Sequence, residues 1–279
     1  MVTDKAYLLI ESFNVMSYDA LGIGDDDLNL GKEFLLGISK KATFPFLSSN
    51  LIDEESGKLL SQSYLVKEVN GLRVGIFSLL SADVFSSPTD VRRKGLTIRN
   101  PIETAQSMIK ELQPKADLLI LLSHLSYPKD VELAQAVSGI HFIIGSHTGT
   151  NLTYPSAVKG THILQAGSKG MYGARLDVNL SNHTLSSFYH STEKRQLESR
   201  LLFIKNRLMN KQISEAEKAQ WLKSKEDTER ALAQLQGKNE FTNIIFPLRD
   251  GMKDHPDILK MVDEYRSKYP ETEKPAPPK

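Results

Sequence analysis

Three short segments hold side chains that could do chemistry together. The first is Gly22-Ile23-Gly24-Asp25-Asp26-Asp27, where three carboxylates follow an apolar stretch. Its glycines invite a dinucleotide reading. That reading is poor, because the third glycine of the fingerprint is missing and three negative charges would face a pyrophosphate. Adjacent carboxylates suit a hard or borderline cation; the same spacing also suits a solvated turn in which Asp27 or Asn29 caps the next helix. The second segment, Ser123-His124-Leu125, ends the most apolar run of the chain. A histidine there can be a ligand or a base, or a side chain satisfied by a backbone carbonyl. The third is Gly145-Ser146-His147-Thr148-Gly149, whose glycines let the backbone turn sharply and present His147, or simply close a strand. One such segment says little. An Asp, a His and a His at the ends of core strands together point to a metal site.

The elements that must position these residues can be read from periodicity. Residues 5–16, 31–40, 101–112 and 128–137 have the pattern of helices, with Asn100 as N-cap and Pro101 in the first turn of the third. Strands are expected at 18–23, 43–48, 64–69, 73–80, 117–122, 140–144, 162–166, 174–179 and 185–189. Asn70-Gly71 between two of them is a hairpin signal. The runs 117–122 and 140–144 are continuously apolar, as in strands buried on both faces. Strands alternate with helices early and run together late, which predicts an α/β sandwich with a mixed sheet system. Beyond residue 190 the texture changes. Leu197, Leu201, Ile204 and Leu208 form a helical seam, and Ser214 with Glu217 forms a capping-box pattern that opens a second helix. The expected division is a domain at 1–190, an antiparallel helical hairpin at 191–240, a short helical segment at 241–269 and a disordered Pro-rich tail at 270–279.

Composition narrows the function classes. The chain has 279 residues and no cysteine, which excludes disulfide scaffolds, thiolate metal sites and cysteine nucleophiles. Its 35 basic and 34 acidic residues leave a net charge of +1, so nothing marks a nucleic-acid binder. No apolar run reaches the ~20 residues of a membrane span, and the first residues do not read as a signal peptide. There is no phosphate-binding P-loop, no Gly-x-Ser-x-Gly elbow and no His-Glu-x-x-His. His141, His162, His183, His190 and His255 read as structural.

The order of motifs resembles the calcineurin-like metallophosphoesterases, in the branch of bacterial 5′-nucleotidases and UDP-sugar hydrolases. Residues 14–20 resemble the lead-in to that branch's Gly-Asn-His-Glu motif, which stands here as Gly24-Asp25-Asp26-Asp27. Leu122-Ser123-His124-Leu125 matches its Leu-Ser-His-Leu motif. Ile143-Ile144-Gly145-Ser146-His147-Thr148-Gly149 resembles Gly-x-His-Thr-His, and Gln165-Ala166-Gly167 with residues 172–177 resembles its closing strands. The likeness covers residues 5 to about 190.

This resemblance implies a metallophosphoesterase-type β-sandwich flanked by helices, lacking its first strands and followed by the helical hairpin. It implies hydrolysis of a phosphate ester, a nucleotide or a related small molecule. Asp25, His124 and His147 correspond to ligands of the family's second metal and are expected to hold Zn, Mn or Fe, one ion rather than two. The last histidine ligand of the first metal is Gly149 here, and the family's Asp-x-His and Gly-Asp motifs would lie upstream of Lys5. Asp26 replaces the family's catalytic histidine. Reduced or altered activity is therefore expected, with a catalytically degenerate binding or scaffolding module as the alternative and the 191–240 hairpin as a surface for a protein partner. The resemblance also implies an exported or periplasmic protein, and a natural chain longer than this one.

Overall fold

The computed structural model describes residues 1–181, 185, 187–210 and 212–270. His183 and all but the first residue of the expected Pro-rich tail lie outside these. In chain order the helices are α1 (Val2–Val15), α2 (Gly31–Ser39), α3 (Pro101–Leu112), α4 (Tyr127–Ala136), α5 (Ser191–Leu208), α6 (Glu215–Leu235) and α7 (Pro256–Lys268). The strands are β1 (Leu21–Gly22), β2 (Phe46–Leu47), β3 (Leu51–Asp53), β4 (Tyr64–Val69), β5 (Leu72–Leu80), β6 (Leu96–Ile98), β7 (Leu118–His124), β8 (Phe142–Gly145), β9 (Ser156–Val158), β10 (Thr161–Leu164), β11 (Tyr172–Asn179), β12 (Phe188–His190) and β13 (Asn239–Pro247).

The central sheet runs β4-β5-β7-β8-β10-β9. Its four inner strands are parallel, and β4 and β9 pair antiparallel at the edges. The Asn70-Gly71 turn joins β4 to β5 with φ of 51° and 81°, both positive, as this tight hairpin turn requires. Along β7 successive side chains point to opposite faces. Leu119 and Leu121 meet α3 and α4, whose Ala105, Met108, Leu112, Leu133 and Ala134 complete one core. The positions 105, 108 and 112 recur at helical spacing, so one stripe of α3 is buried. Asn100 accepts hydrogen bonds from Ile102 N–H at 2.9 Å and Glu103 N–H at 3.2 Å, capping that helix. Leu118 on the opposite face of β7 joins Phe142 and Leu164 in a second core with Leu185, Phe188 and Phe241. The third core gathers α1, α2 and the short β1-β2 pair around Ile10, Leu28, Leu35, Phe44 and Phe46.

The second layer of the sandwich is the three-stranded sheet β11-β13-β12. Here the structure corrects the expected short helical segment at 241–269. Residues 239–247 are a strand, antiparallel to β11 and parallel to β12, and only the part from Pro256 onward is helical. Phe241-Thr242-Asn243-Ile244 shows no period-two apolar alternation, and the helical texture before it gave no sign of a strand. The α5–α6 hairpin is thus the crossover that parallel neighbours β12 and β13 need. Its capping box is complete: Ser214 Oγ accepts from Glu217 N–H at 3.2 Å, and Glu217 accepts from Ser214 N–H at 2.9 Å. Helix α7 returns to α1, where Tyr269 donates to Asp4 at 2.6 Å and Lys268 pairs with the same carboxylate.

Two of the expected strands are much shorter than their apolar runs. The 18–23 and 43–48 stretches pair only over Leu21–Gly22 and Phe46–Leu47. Strands β3, β6 and β9 are each three residues long and were not expected, because so short a strand leaves no periodicity to read.

Candidate metal centre

The parallel strands β5, β7 and β8 end on the same edge of the central sheet, where loops of such sheets gather their functional groups. His124 is the last residue of β7, and His147 lies two residues past β8. Asp25 follows β1, which lies beside them: a Cβ on Gly22 would fall 3.1 Å from Leu122 Cβ. Gly24 lets the Asp25 turn lie against the His124 ring, since a Cβ there would fall 2.8 Å from Cε1. The three candidate ligand atoms of Asp25, His124 and His147 all lie within 4.8 Å of one another. His124 Nε2 is 2.8 Å and His147 Nδ1 is 3.8 Å from the same oxygen, Asp25 Oδ1. The two imidazoles meet at 66° with centroids 5.1 Å apart. His147 holds a left-handed backbone, φ 71°, which is uncommon outside glycine.

Hydrogen-bond direction tests whether these residues fit a cation. Ser146 Oγ donates its one proton to the Ser123 carbonyl at 2.7 Å. Its 2.9 Å contact with His124 Nδ1 therefore needs the proton on Nδ1. The neutral ring then turns the lone pair of Nε2 towards a carboxylate oxygen. Two acceptors face each other, and a positive group between them, a proton or a metal ion, resolves the conflict. With the second histidine beside it, the two histidines and one carboxylate form a set that could hold a metal ion. Ser146 supplies the outer hydrogen bond that such histidines commonly make.

Burial pushes the Asp25 carboxyl up, but His124 and Arg92 outweigh it and hold the group below its ordinary range. Asp27 is turned inwards. Its Oδ2 accepts from Gly24 N–H at 2.8 Å, and burial raises its pKa. It braces the turn rather than capping α2, whose N-cap Leu30 makes no side-chain cap bond. The adjacent residues Asp25, Asp26 and Asp27 thus take three different roles, because Asp26 points into solvent with a side chain 88% exposed.

No family model matches the chain. It is 28% identical over 202 residues to a 5′-nucleotidase of Vibrio cholerae, an alignment covering 61% of this chain and 36% of that protein. A 5′-nucleotidase precursor from Thermus thermophilus matches in structure with a TM-score of 0.58 and 27% identity, over 64% of this chain and 39% of that one. The calcineurin-like phosphoesterase YfkN of Bacillus subtilis matches with a TM-score of 0.64 over 95% of this chain and 75% of that one; its 18% identity speaks for the fold alone. The chain resembles calcineurin-like metallophosphoesterases of the 5′-nucleotidase branch. It spans about a third of the length of the Vibrio relative, 36%.

Gly149 has no side chain and a positive φ of 66°, and it packs against Ser168. Of the histidines read as structural, His141 accepts from Leu119 N–H at 2.9 Å through Nδ1, and burial lowers its pKa. His162 is buried against Phe241, with its pKa pushed down by desolvation to about 4. His190 caps α5. His255 is exposed beside Asp257.

Two charged groups at the centre carried no signal in the sequence. Arg92 donates to Asp25 Oδ2 at 2.6 Å and to Asp90 at 2.9 Å. Residues so far apart in the chain meet only through the loop after β5. Asp130, in α4, is fully buried; it accepts from Ser123 Oγ, and its second oxygen has no partner. Desolvation raises its pKa to about 7. A carboxyl raised in the folded state keeps its proton between pH ~4 and ~7 while the unfolded chain loses it, so stability falls across that window by at most about 1.4 kcal/mol per pH unit. Below pH ~4 the effect is absent, and above the folded value near 7 it is complete. Asp130→Asn is expected to flatten the decline. Urea midpoints from pH 4.5 to 8 check this, and parallel profiles for both proteins would refute it.

Among the described residues, no helix is long and apolar enough to cross a membrane.

Proposed function

We propose that this chain carries the metal-binding part of a phosphoesterase of 5′-nucleotidase type, with one divalent ion held by Asp25, His124 and His147, and with reduced activity. The observation behind this reading is the convergence of those three ligand atoms within 4.8 Å at the carboxyl edge of the sheet. A bound divalent ion supplies Lewis-acid polarisation of a phosphoryl oxygen and lowers the pKa of water at neutral pH. The chain's own residues do the rest. Ser146 orients the His124 ring, Gly24 admits it, and Asp27 braces the turn that presents Asp25. Asp26 works against the reaction by adding negative charge near a phosphate, although its side chain is 88% exposed and water screens much of that repulsion. The ion is Zn, Mn or Fe, and the substrate is a phosphate ester of a nucleotide or related small molecule. Export of the protein and the division at residues 190, 240 and 269, amended by β13, belong to the same proposal.

Hydrolysis of p-nitrophenyl phosphate and AMP, with Mn or Zn added after chelation, tests the reading. Slow, metal-dependent release that His147→Ala abolishes is the expected result. Release no faster than that of His147→Ala under every metal would favour the second reading, a degenerate metallophosphoesterase fold acting as a binding or scaffolding module. The observations that favour it are Asp26 and Gly149, and the exposed apolar residues Leu202, Phe203 and Met209 of the hairpin give a partner somewhere to dock.

A further inference from the structure

We propose that Arg92 is a resident competitor for Asp25: its guanidinium occupies the carboxylate oxygen that a divalent ion would otherwise share, and so sets how tightly the centre binds metal. The inference rests on the metal-site reading above.

The Asp25 carboxylate is divided between two sides. Oδ1 faces both histidines, and Oδ2 receives Arg92 Nη1–H at 2.6 Å. While Arg92 stays, only one oxygen of Asp25 is free for a metal. Arg92 is also built in place. Its Nε and Nη2 donate to Asp90 at 3.1 and 2.9 Å, and Asp90 in turn accepts from Ser86 Oγ at 2.9 Å. The guanidinium carbon lies 5.2 Å from the centroid of the Phe85 ring, in cation–π range. Nη1 also reaches Asp26 at 3.4 Å. The side chains of Arg92, Asp25 and Asp90 are 18%, 10% and 7% exposed, so water screens this pairing little.

The sign of the effect follows from charge. Asp25 brings the ligand set its one carboxylate, and the guanidinium, shared between Asp25 and Asp90, draws part of that negative charge away from a metal. A divalent ion on Oδ1 would also sit close to a fixed positive charge. An ordinary outer partner of a metal ligand is a hydrogen-bonding group that strengthens the ligand. A cation paired with the carboxylate does the opposite.

Titration of the full chain with Mn and separately with Zn, after removal of metal, tests this. Arg92→Met keeps the length and apolar stem but removes the charge; it should bind metal ~10–100-fold more tightly, the range over which outer partners usually act. Arg92→Lys, which keeps the charge, should stay near the wild type. Unchanged or weaker binding in Arg92→Met overturns the proposal, because it would mean that Arg92 is inert or holds Asp25 in position for the metal. Where Arg92→Met does not fold, Asp90→Asn decides. It leaves Arg92 present but releases it towards Asp25, so affinity should drop, and unchanged or tighter binding overturns the proposal. His147→Ala is titrated alongside. Metal binding by the wild type that is indifferent to His147→Ala refutes the metal-site reading itself, whereas His147-dependent binding that Arg92→Met fails to tighten refutes only the role of Arg92.

Discussion

His124→Ala and His147→Ala are each expected to lower affinity for Mn or Zn by ~100-fold or more, and to remove most of the thermal stabilisation that the metal confers on the wild type. Loss of an outer-sphere partner already shifts metal affinity by ~10–100-fold, and a direct ligand should count for at least the upper end of that range. Linkage turns this into a melting shift. At a metal concentration ~100 times Kd the folded state gains about 2.7 kcal/mol, and after a 100-fold loss of affinity the same concentration gives about 0.4 kcal/mol. For a domain of this size these correspond to rises of about 5–10 °C and about 1 °C. Both histidines are partly exposed, with side chains 19% and 33% accessible, so removing them leaves little cavity in the core. The metal-free melting temperatures should therefore change little. His255→Ala is the control, since His255 is exposed and far along the chain in the turn before α7. If the metal raises Tm equally in the two variants and the wild type, then Asp25, His124 and His147 do not hold it.

Phe241→Ala is expected to destabilise the fold by about 3–5 kcal/mol, the usual penalty for emptying a buried aromatic site. Phe241 is fully buried and is the point where β13 meets the central sheet. Its ring lies 5.2 Å from Phe142, 4.5 Å from His162 and 5.1 Å from His190, measured between centroids. All three rings pack edge to face or tilted against Phe241, an arrangement that adds to simple burial. Ile244→Ala on the same strand should cost less than about 1 kcal/mol, because that side chain is 41% exposed. Denaturant midpoints of the two variants measure the contrast. A loss below about 1 kcal/mol for Phe241→Ala would mean that the strand after the hairpin is not part of the core.

The two predictions probe parts of the molecule that differed in how far they could be read beforehand. Asp25, His124 and His147 were visible because strand-end positions carry their own local marks: an apolar run, then glycine or serine, then a candidate ligand residue. Helix α3 was visible to the residue, since the Asn100 cap, Pro101 and the helical pattern of 101–112 are local features of one turn after another. The capping box at Ser214 and Glu217 is local in the same sense. β13 was not visible. Its neighbours in sequence are helical and its partners, β11 and β12, lie some 50 to 75 residues earlier, so no short-range pattern marks it. Asp27 shows the same limit on a smaller scale. Its type and position allowed a helix cap, and only the fold of the turn decided that it bonds to Gly24 instead.

By itself, then, the sequence determined the class of fold, the edge of the sheet where ligands gather and the three residues that could meet there, since each depends on periodicity and on side-chain type within a few residues. Only the tertiary structure decided the charge of that centre. Arg92 reaches Asp25 across 67 positions, Asp90 pins it, and Asp130 lies buried behind Ser123 with one oxygen unpaired. These depend on how loops after different strands come together and on which carboxylates lose water when they do. Electrostatic strength is set by distance and burial, and neither is written in residue spacing.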